Sequence, residues 1–132
     1  MIRPLSFRIV FLASLILFAC TGKQTTDKAE VAVLAPAVFK VKSVGHTLVD
    51  IRSPEEFASG HLQGAVNINY FDENFLTQLA TFNKEQPLFI YCRSGNRTAK
   101  ASPAIRASGF QKLYDLAGGI KQWKASGYPL VP

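Results

Sequence analysis

Tyr91-Cys92-Arg93-Ser94-Gly95-Asn96-Arg97-Thr98 combines residue types and spacing suited to a reactive thiolate. The cysteine follows an apolar run, Pro87 to Tyr91, and precedes an alanine-rich segment that reads as a helix. A thiol placed between a strand end and a helix start faces inward-turned loop N–H groups and the positive end of the helix. Arg93 and Arg97 add cationic charge, and such surroundings favour the nucleophilic thiolate over the thiol. Cys92 is therefore the expected nucleophile. Arg93, Ser94, Gly95, Asn96, Arg97 and Thr98 are the expected wall of its substrate site. Arg93 can steer an anionic donor, and Arg97 can brace the loop or face the pocket.

Cysteine usage narrows the chemistry. The chain has 132 residues and two cysteines, Cys20 and Cys92. Arg3 and Arg8 precede an apolar stretch, Ile9 to Ala19, of the length of a signal-peptide core. It is shorter than the roughly 20 residues of a bilayer span. The stretch ends Leu17-Phe18-Ala19-Cys20 and gives way to polar Thr21 to Thr26. This resembles a bacterial lipoprotein signal, in which the cysteine is lipidated and becomes the mature N-terminus. Residues 1–19 are then a signal peptide, and residues 20–33 a lipidated N-terminus and linker. The expected location is the bacterial cell envelope, with the domain held to a membrane and facing the periplasm or exterior. Cys92 is left as a lone thiol, unable to form an internal disulfide.

Charge excludes other classes. Without Arg3 and Arg8 there are 13 basic against nine acidic residues, scattered with no basic run. Nucleic-acid binding gains no support, whereas small anionic substrates suit such a field. His46 and His61 form no ligand cluster with the cysteines, so no metal and no cofactor are expected. A single domain follows from the length, and a monomer is the expected state.

The elements that position Cys92 are marked by punctuation. Val31 to Leu34 reads as a short strand, and Pro36 and Gly45 bracket the next segment. There Val38, Val41 and Val44 keep a helical spacing while Phe39 to Lys42 alternates like a strand, with helix the preferred reading. Thr47 to Ile51 is a strand, and Pro54 opens a short helix closed by Gly60. Ala65 to Ile68 is a strand, and Phe75 to Phe82 a helix. Pro87 to Tyr91 is apolar throughout, as a strand covered on both faces should be. Arg97 to Ser108 is a helix ended by Gly109. Pro103 cannot donate to the Ala99 carbonyl and is expected to bend this helix rather than abolish it. Lys112 to Leu116 and Gly119 to Ser126 close the chain as strand and helix. Alternation of this kind predicts a parallel sheet with helices on both faces and a site beyond the carboxyl ends of the strands.

The ordered set Leu48-Val49-Asp50-Ile51-Arg52, Glu56-Phe57, Gly60-His61-Leu62, Gly64 to Ile68, Cys92 to Arg97, Gly118-Gly119 and Trp123 resembles a single-domain rhodanese. The resemblance covers the chain from about Leu34 to its end. It implies an α/β domain over residues 34–132 around a five-stranded parallel sheet. It also implies a sulfurtransferase in which Cys92 takes sulfur from thiosulfate, or a related small anionic donor, as a persulfide and passes it to a thiol or cyanide. Cysteine phosphatases of similar fold resemble cysteine, five residues, arginine, whereas Cys92 and Arg97 enclose four. The shorter loop favours sulfur over phosphate. Asp50 and Arg52 are expected to pair and hold loops, and His61 to be a structural hydrogen-bonder. Gly118 and Gly119 are expected to permit close approach to the cysteine loop. The alternative to an enzyme is a sulfur-relay or redox-sensing module acting with a membrane-associated protein.

Overall fold

A computed structural model describes residues 30–132. Five strands form one parallel sheet in the order β1-β5-β4-β2-β3. They are β1 (Glu30–Leu34), β2 (Thr47–Asp50), β3 (Val66–Asn67), β4 (Leu88–Tyr91) and β5 (Lys112–Leu116). The helices between them are α1 (Pro36–Lys42), α2 (Pro54–Ala58), α3 (Phe75–Leu79), α4 (Asn96–Ala107) and α5 (Gly119–Ala125). The expected fold class is thereby established. β1 includes Glu30 as well as the expected Val31 to Leu34, and all five residues pair with β5.

β4 lies at the centre, and all four of its residues are buried. Its side chains alternate between two cores. Leu88 and Ile90 join Val49, Leu113, Ala101 and Ile105 on the α3–α4 face. Phe89 and Tyr91 join Phe39, Leu116, Ile120 and Trp123 on the α1–α5 face. The apolar run in the sequence is therefore the physical consequence of a strand covered twice.

Local chemistry sets the helices. Ser53 and Glu56 form a reciprocal cap at the start of α2, with Glu56 N–H donating to Ser53 Oγ at 3.3 Å and Ser53 N–H to Glu56 Oε2 at 3.0 Å. In α4, Thr98, Ala101, Ser102 and Ile105 are the buried positions, a helical stripe laid on the sheet. The helix continues past exposed Pro103 to Ala107. α3 stops at Leu79 instead of Phe82, because the next N–H groups bond three residues back, Thr81 to Gln78 and Phe82 to Leu79. α1 is helical as its valine spacing predicts, yet Val38, Val41 and Val44 are exposed. Pro36 and Phe39 are the buried residues instead, Phe39 meeting Phe89 edge-on at 5.3 Å between ring centroids. Among the described residues no helix is long and apolar enough to cross a membrane. Cys20 and the signal sequence lie outside the described residues.

Candidate active site

The strand-to-helix transition after β4 delivers Cys92 to the carboxyl edge of the sheet, beneath the first turn of α4. Its thiol is free and almost wholly enclosed, with 1% of the residue exposed. Gly95 adopts φ 95° and caps α4, a conformation that glycine adopts without strain. This turns its N–H back onto Cys92 Sγ at 3.1 Å. A ring of loop N–H groups is the sequence expectation, and Gly95 supplies its hydrogen bond in this geometry. Thr98, buried under the loop, adds a hydroxyl 3.8 Å from the sulfur. Arg93, Ser94 and Asn96 are exposed around the rim.

Of the two roles expected for Arg97, bracing the loop or facing the pocket, its contacts match the first: the guanidinium forms a two-pronged pair with Glu56, at 2.7 Å from Nη1 to Oε2 and 2.7 Å from Nη2 to Oε1. The planar fork matches the carboxylate, and its two best donors are consumed there. Arg97 therefore ties α4 to α2 and braces the loop. Its charge holds the Glu56 carboxyl well below the usual range, at about 2.

Asp50 and Arg52 pair with one another at the end of β2. Arg52 donates from its backbone N–H, its Nε and its Nη2 to the Asp50 carboxylate, the shortest contact being 2.6 Å. Nη2 also reaches the Gly60 carbonyl at 2.8 Å, so the pair fixes the turn after α2. His61 stacks on Phe57 at 3.7 Å between ring centroids, with Nδ1 3.2 Å from the Phe57 carbonyl. Its backbone forms an antiparallel bridge with Val131. Its contacts are structural. Gly119 packs directly on the cysteine loop, where Ile120 and Lys121 N–H groups donate to the Cys92 and Arg93 carbonyls at 2.9 and 3.1 Å. Gly118, at φ 70°, is the left-handed residue that starts α5.

Beside this loop lies a cavity of about 560 Å³ lined by Arg52, Glu56, Arg93, Lys121 and Lys124 among others. Four of those five side chains are cationic, and Arg93, Lys121 and Lys124 are exposed. Such a mouth concentrates small anions. Sequence reasoning missed Lys121 and Lys124, whose spacing of three on α5 places both on one face. It also missed Asp115, whose Oδ2 accepts the Thr98 hydroxyl at 2.8 Å, and the role of Glu56 as the partner of Arg97.

The site is thus a buried cysteine under a helix-capping loop, at the carboxyl edge of a five-stranded parallel sheet in an α/β domain. Residues 16–126 match the family model of the rhodanese-like domain, and the chain belongs to that family. Thiosulfate sulfurtransferase 16, chloroplastic, of Arabidopsis thaliana is 34% identical over 95 residues, covering 64% of this chain and 79% of that protein. Thiosulfate sulfurtransferase GlpE of Ectopseudomonas mendocina is 33% identical over 88 residues, covering 66% and 78%. Among solved structures, a rhodanese-related protein from Thermoplasma volcanium superposes with a TM-score of 0.68 at 25% identity, covering 76% of this chain and 97% of that one.

Proposed function

We propose that this protein is a sulfurtransferase working through a persulfide on Cys92. The observation that carries the reading is the Cys92 Sγ held by the Gly95 N–H at 3.1 Å, at the positive end of α4. The thiolate attacks the outer sulfur of thiosulfate or a related anionic donor. The S–S bond of the donor breaks, its electron pair leaves with sulfite, and the outer sulfur remains on Cys92. Sulfite is a stable anion and departs without a proton, so no acid is needed at the leaving group. A thiol or cyanide then attacks the bound sulfur and regenerates the Cys92 thiolate, giving ping-pong kinetics. The Gly95 N–H and the helix end stabilise the anionic sulfur in both halves of the cycle. Arg93, Lys121 and Lys124 gather the anionic donor at the cavity mouth.

Thiosulfate:cyanide sulfurtransfer and intact mass after thiosulfate alone test this reading. The wild-type protein should gain one sulfur atom and form thiocyanate. Cys92→Ser should gain nothing, its turnover lower by about three orders of magnitude or more. A persulfide formed without turnover would favour the sulfur-relay reading. Neither signal from a folded, reduced wild-type sample would remove the sulfurtransferase reading for thiosulfate.

The proposal extends to location. The pattern from Arg3 to Cys20 supports a lipid on Cys20 that holds a monomeric domain to a membrane of the cell envelope. Cys20→Ser should release the protein from membranes. A variant still fully sedimenting with them after a salt wash would count against the anchor.

A further inference from the structure

Cys92 is 1% exposed, so bulk water cannot readily collect the proton that its thiol loses on becoming a nucleophile. One line of polar side chains stands behind the sulfur. Thr98 Oγ1 lies 3.8 Å from Cys92 Sγ, within reach of a thiol hydrogen bond, and 2.8 Å from Asp115 Oδ2. The Gly95 carbonyl, 3.0 Å from Thr98 Oγ1, competes for the same hydroxyl proton. Asp115 sits on β5 between Ile90 of β4 and Val33 of β1, a carboxyl set into the sheet with 5% of the residue exposed. No arginine or lysine pairs with it, and its Oδ1 is buried without a hydrogen-bond partner among the described residues. An acid left in this state is costly unless it does something.

Asp115 also lines a groove of about 600 Å³ on the β1–α4 side, whose walls include Val31, Val33, Ala99 and Pro103. This groove shares no lining residue with the cationic cavity beside the loop. The sulfur thus has a path through Thr98 and Asp115 to a second opening.

We infer that Asp115 is a positioning residue that accepts the Cys92 thiol proton through the Thr98 hydroxyl and exchanges it with solvent at the β1–α4 groove. The inference rests on the proposed function insofar as Cys92 must react as a thiolate. In the step, the Cys92 S–H bond breaks and its proton bonds to Thr98 Oγ1, while the original Thr98 proton passes to Asp115 Oδ2. The products are a Cys92 thiolate, a Thr98 hydroxyl now donating to that sulfur, and a neutral Asp115 acid donating to Thr98. No electrons are exchanged and no co-reactant is needed. The same transfer that creates the nucleophile turns the hydroxyl towards it.

The electrostatic surroundings suit this role. Burial pushes the Asp115 carboxyl up to about 6, only partly offset by the hydrogen bond from Thr98, so it can hold a proton near neutrality. From α4, Arg106 lines the same groove with its Nε buried and unpartnered, while Arg97 is engaged by Glu56 and Lys100 is exposed. The loop after β4 contributes Cys92 itself, and β1 presents Val31 and Val33 to the groove. On β5, Lys112 is exposed and lies three positions away.

The test is the rate of Cys92 alkylation by iodoacetamide against pH in the full chain, followed at the Cys92 peptide by mass spectrometry. Groups coupled by more than about one pH unit titrate in two steps. The wild-type rate should rise in two such steps. Asp115→Asn removes the proton-accepting carboxylate but keeps an amide oxygen that can accept the Thr98 hydroxyl, and should give one step. Thr98→Val should also give one step, and Thr98→Ser, which keeps the hydroxyl, should restore two. A single step in the wild type, or two steps surviving in Asp115→Asn, would overturn the relay. Should Thr98→Val fail to fold, Asp115→Asn and Thr98→Ser still decide. Alkylation needs only the thiolate, so two-step alkylation without sulfurtransfer would count against the sulfurtransferase reading alone.

Discussion

Gly119→Ala should destabilise the protein by about 2–4 kcal/mol and displace the cysteine loop, although it adds a single methyl group. A Cβ built at Gly119 would stand 2.5 Å from the Cys92 carbonyl oxygen and 2.6 Å from both the carbonyl carbon and oxygen of Arg93. These are backbone atoms with no rotamer to yield. They are also the carbonyls that accept the Ile120 and Lys121 N–H groups, so any relief breaks the seam between α5 and the loop. The φ of +61° at Gly119 adds strain for any side chain. Gly64→Ala separates the two contributions, since Gly64 has φ +81° but nothing within 4 Å of its added Cβ. Its cost should be about 1–2 kcal/mol, from conformation alone. Urea unfolding of both variants measures the difference. If Gly119→Ala unfolds at the same urea concentration as Gly64→Ala, the collision account is wrong. Sulfurtransfer should fall with Gly119→Ala even where the protein remains folded, because Cys92 and the Gly95 N–H move with the loop.

The second large effect is expected at the buried ion pair. Asp50→Ala leaves the Arg52 guanidinium in a site only 4% exposed, with the Gly60 carbonyl as its remaining acceptor. Loss of one partner of a buried pair costs about 3–5 kcal/mol, mostly the penalty of the stranded charge. Arg52→Ala should cost a similar amount for the converse reason, since Asp50 is fully buried. The double variant should therefore cost less than the sum of the two singles. Additive costs in a double-mutant cycle would mean that the two side chains act independently. The consequence reaches the site through geometry. Arg52 holds the turn after α2, α2 carries Glu56, and Glu56 holds Arg97 in the first turn of α4. A loosened pair should thus weaken the hold on the cysteine loop.

This chain of supports explains which parts of the site could be read in advance. Cys92, Gly95 and the helix start are contiguous, and their chemistry follows from a strand, a turn and a cap in sequence. Arg97 is contiguous with them too, yet its partner lies 41 residues away. From the loop alone, a guanidinium beside a nucleophile fits a substrate anion as well as a protein carboxylate. The pairing with Glu56 exists because α2 is folded against the start of α4. Asp115 was hidden for a related reason. Within Lys112 to Leu116 it occupies an inward position of a strand, where an acid reads as an interruption. Only the register with β1 and β4 brings it against Thr98, 17 residues earlier.

Local pattern alone determined the alternation of strands and helices, the parallel sheet, the double-sided core around β4 and the nucleophile at its end. Each is written in periodicity, glycine and proline placement, and neighbouring residues. Tertiary structure decided that the valine row of α1 stays exposed while Phe39 enters the core, that Arg97 pairs with Glu56, and that Asp115 stands behind the sulfur. Helical spacing identifies a face without saying where it points, and charge identifies a capacity to pair without naming the partner. Orientation and partnership are properties of packed elements, and they arise when the sheet brings distant segments within a few ångströms.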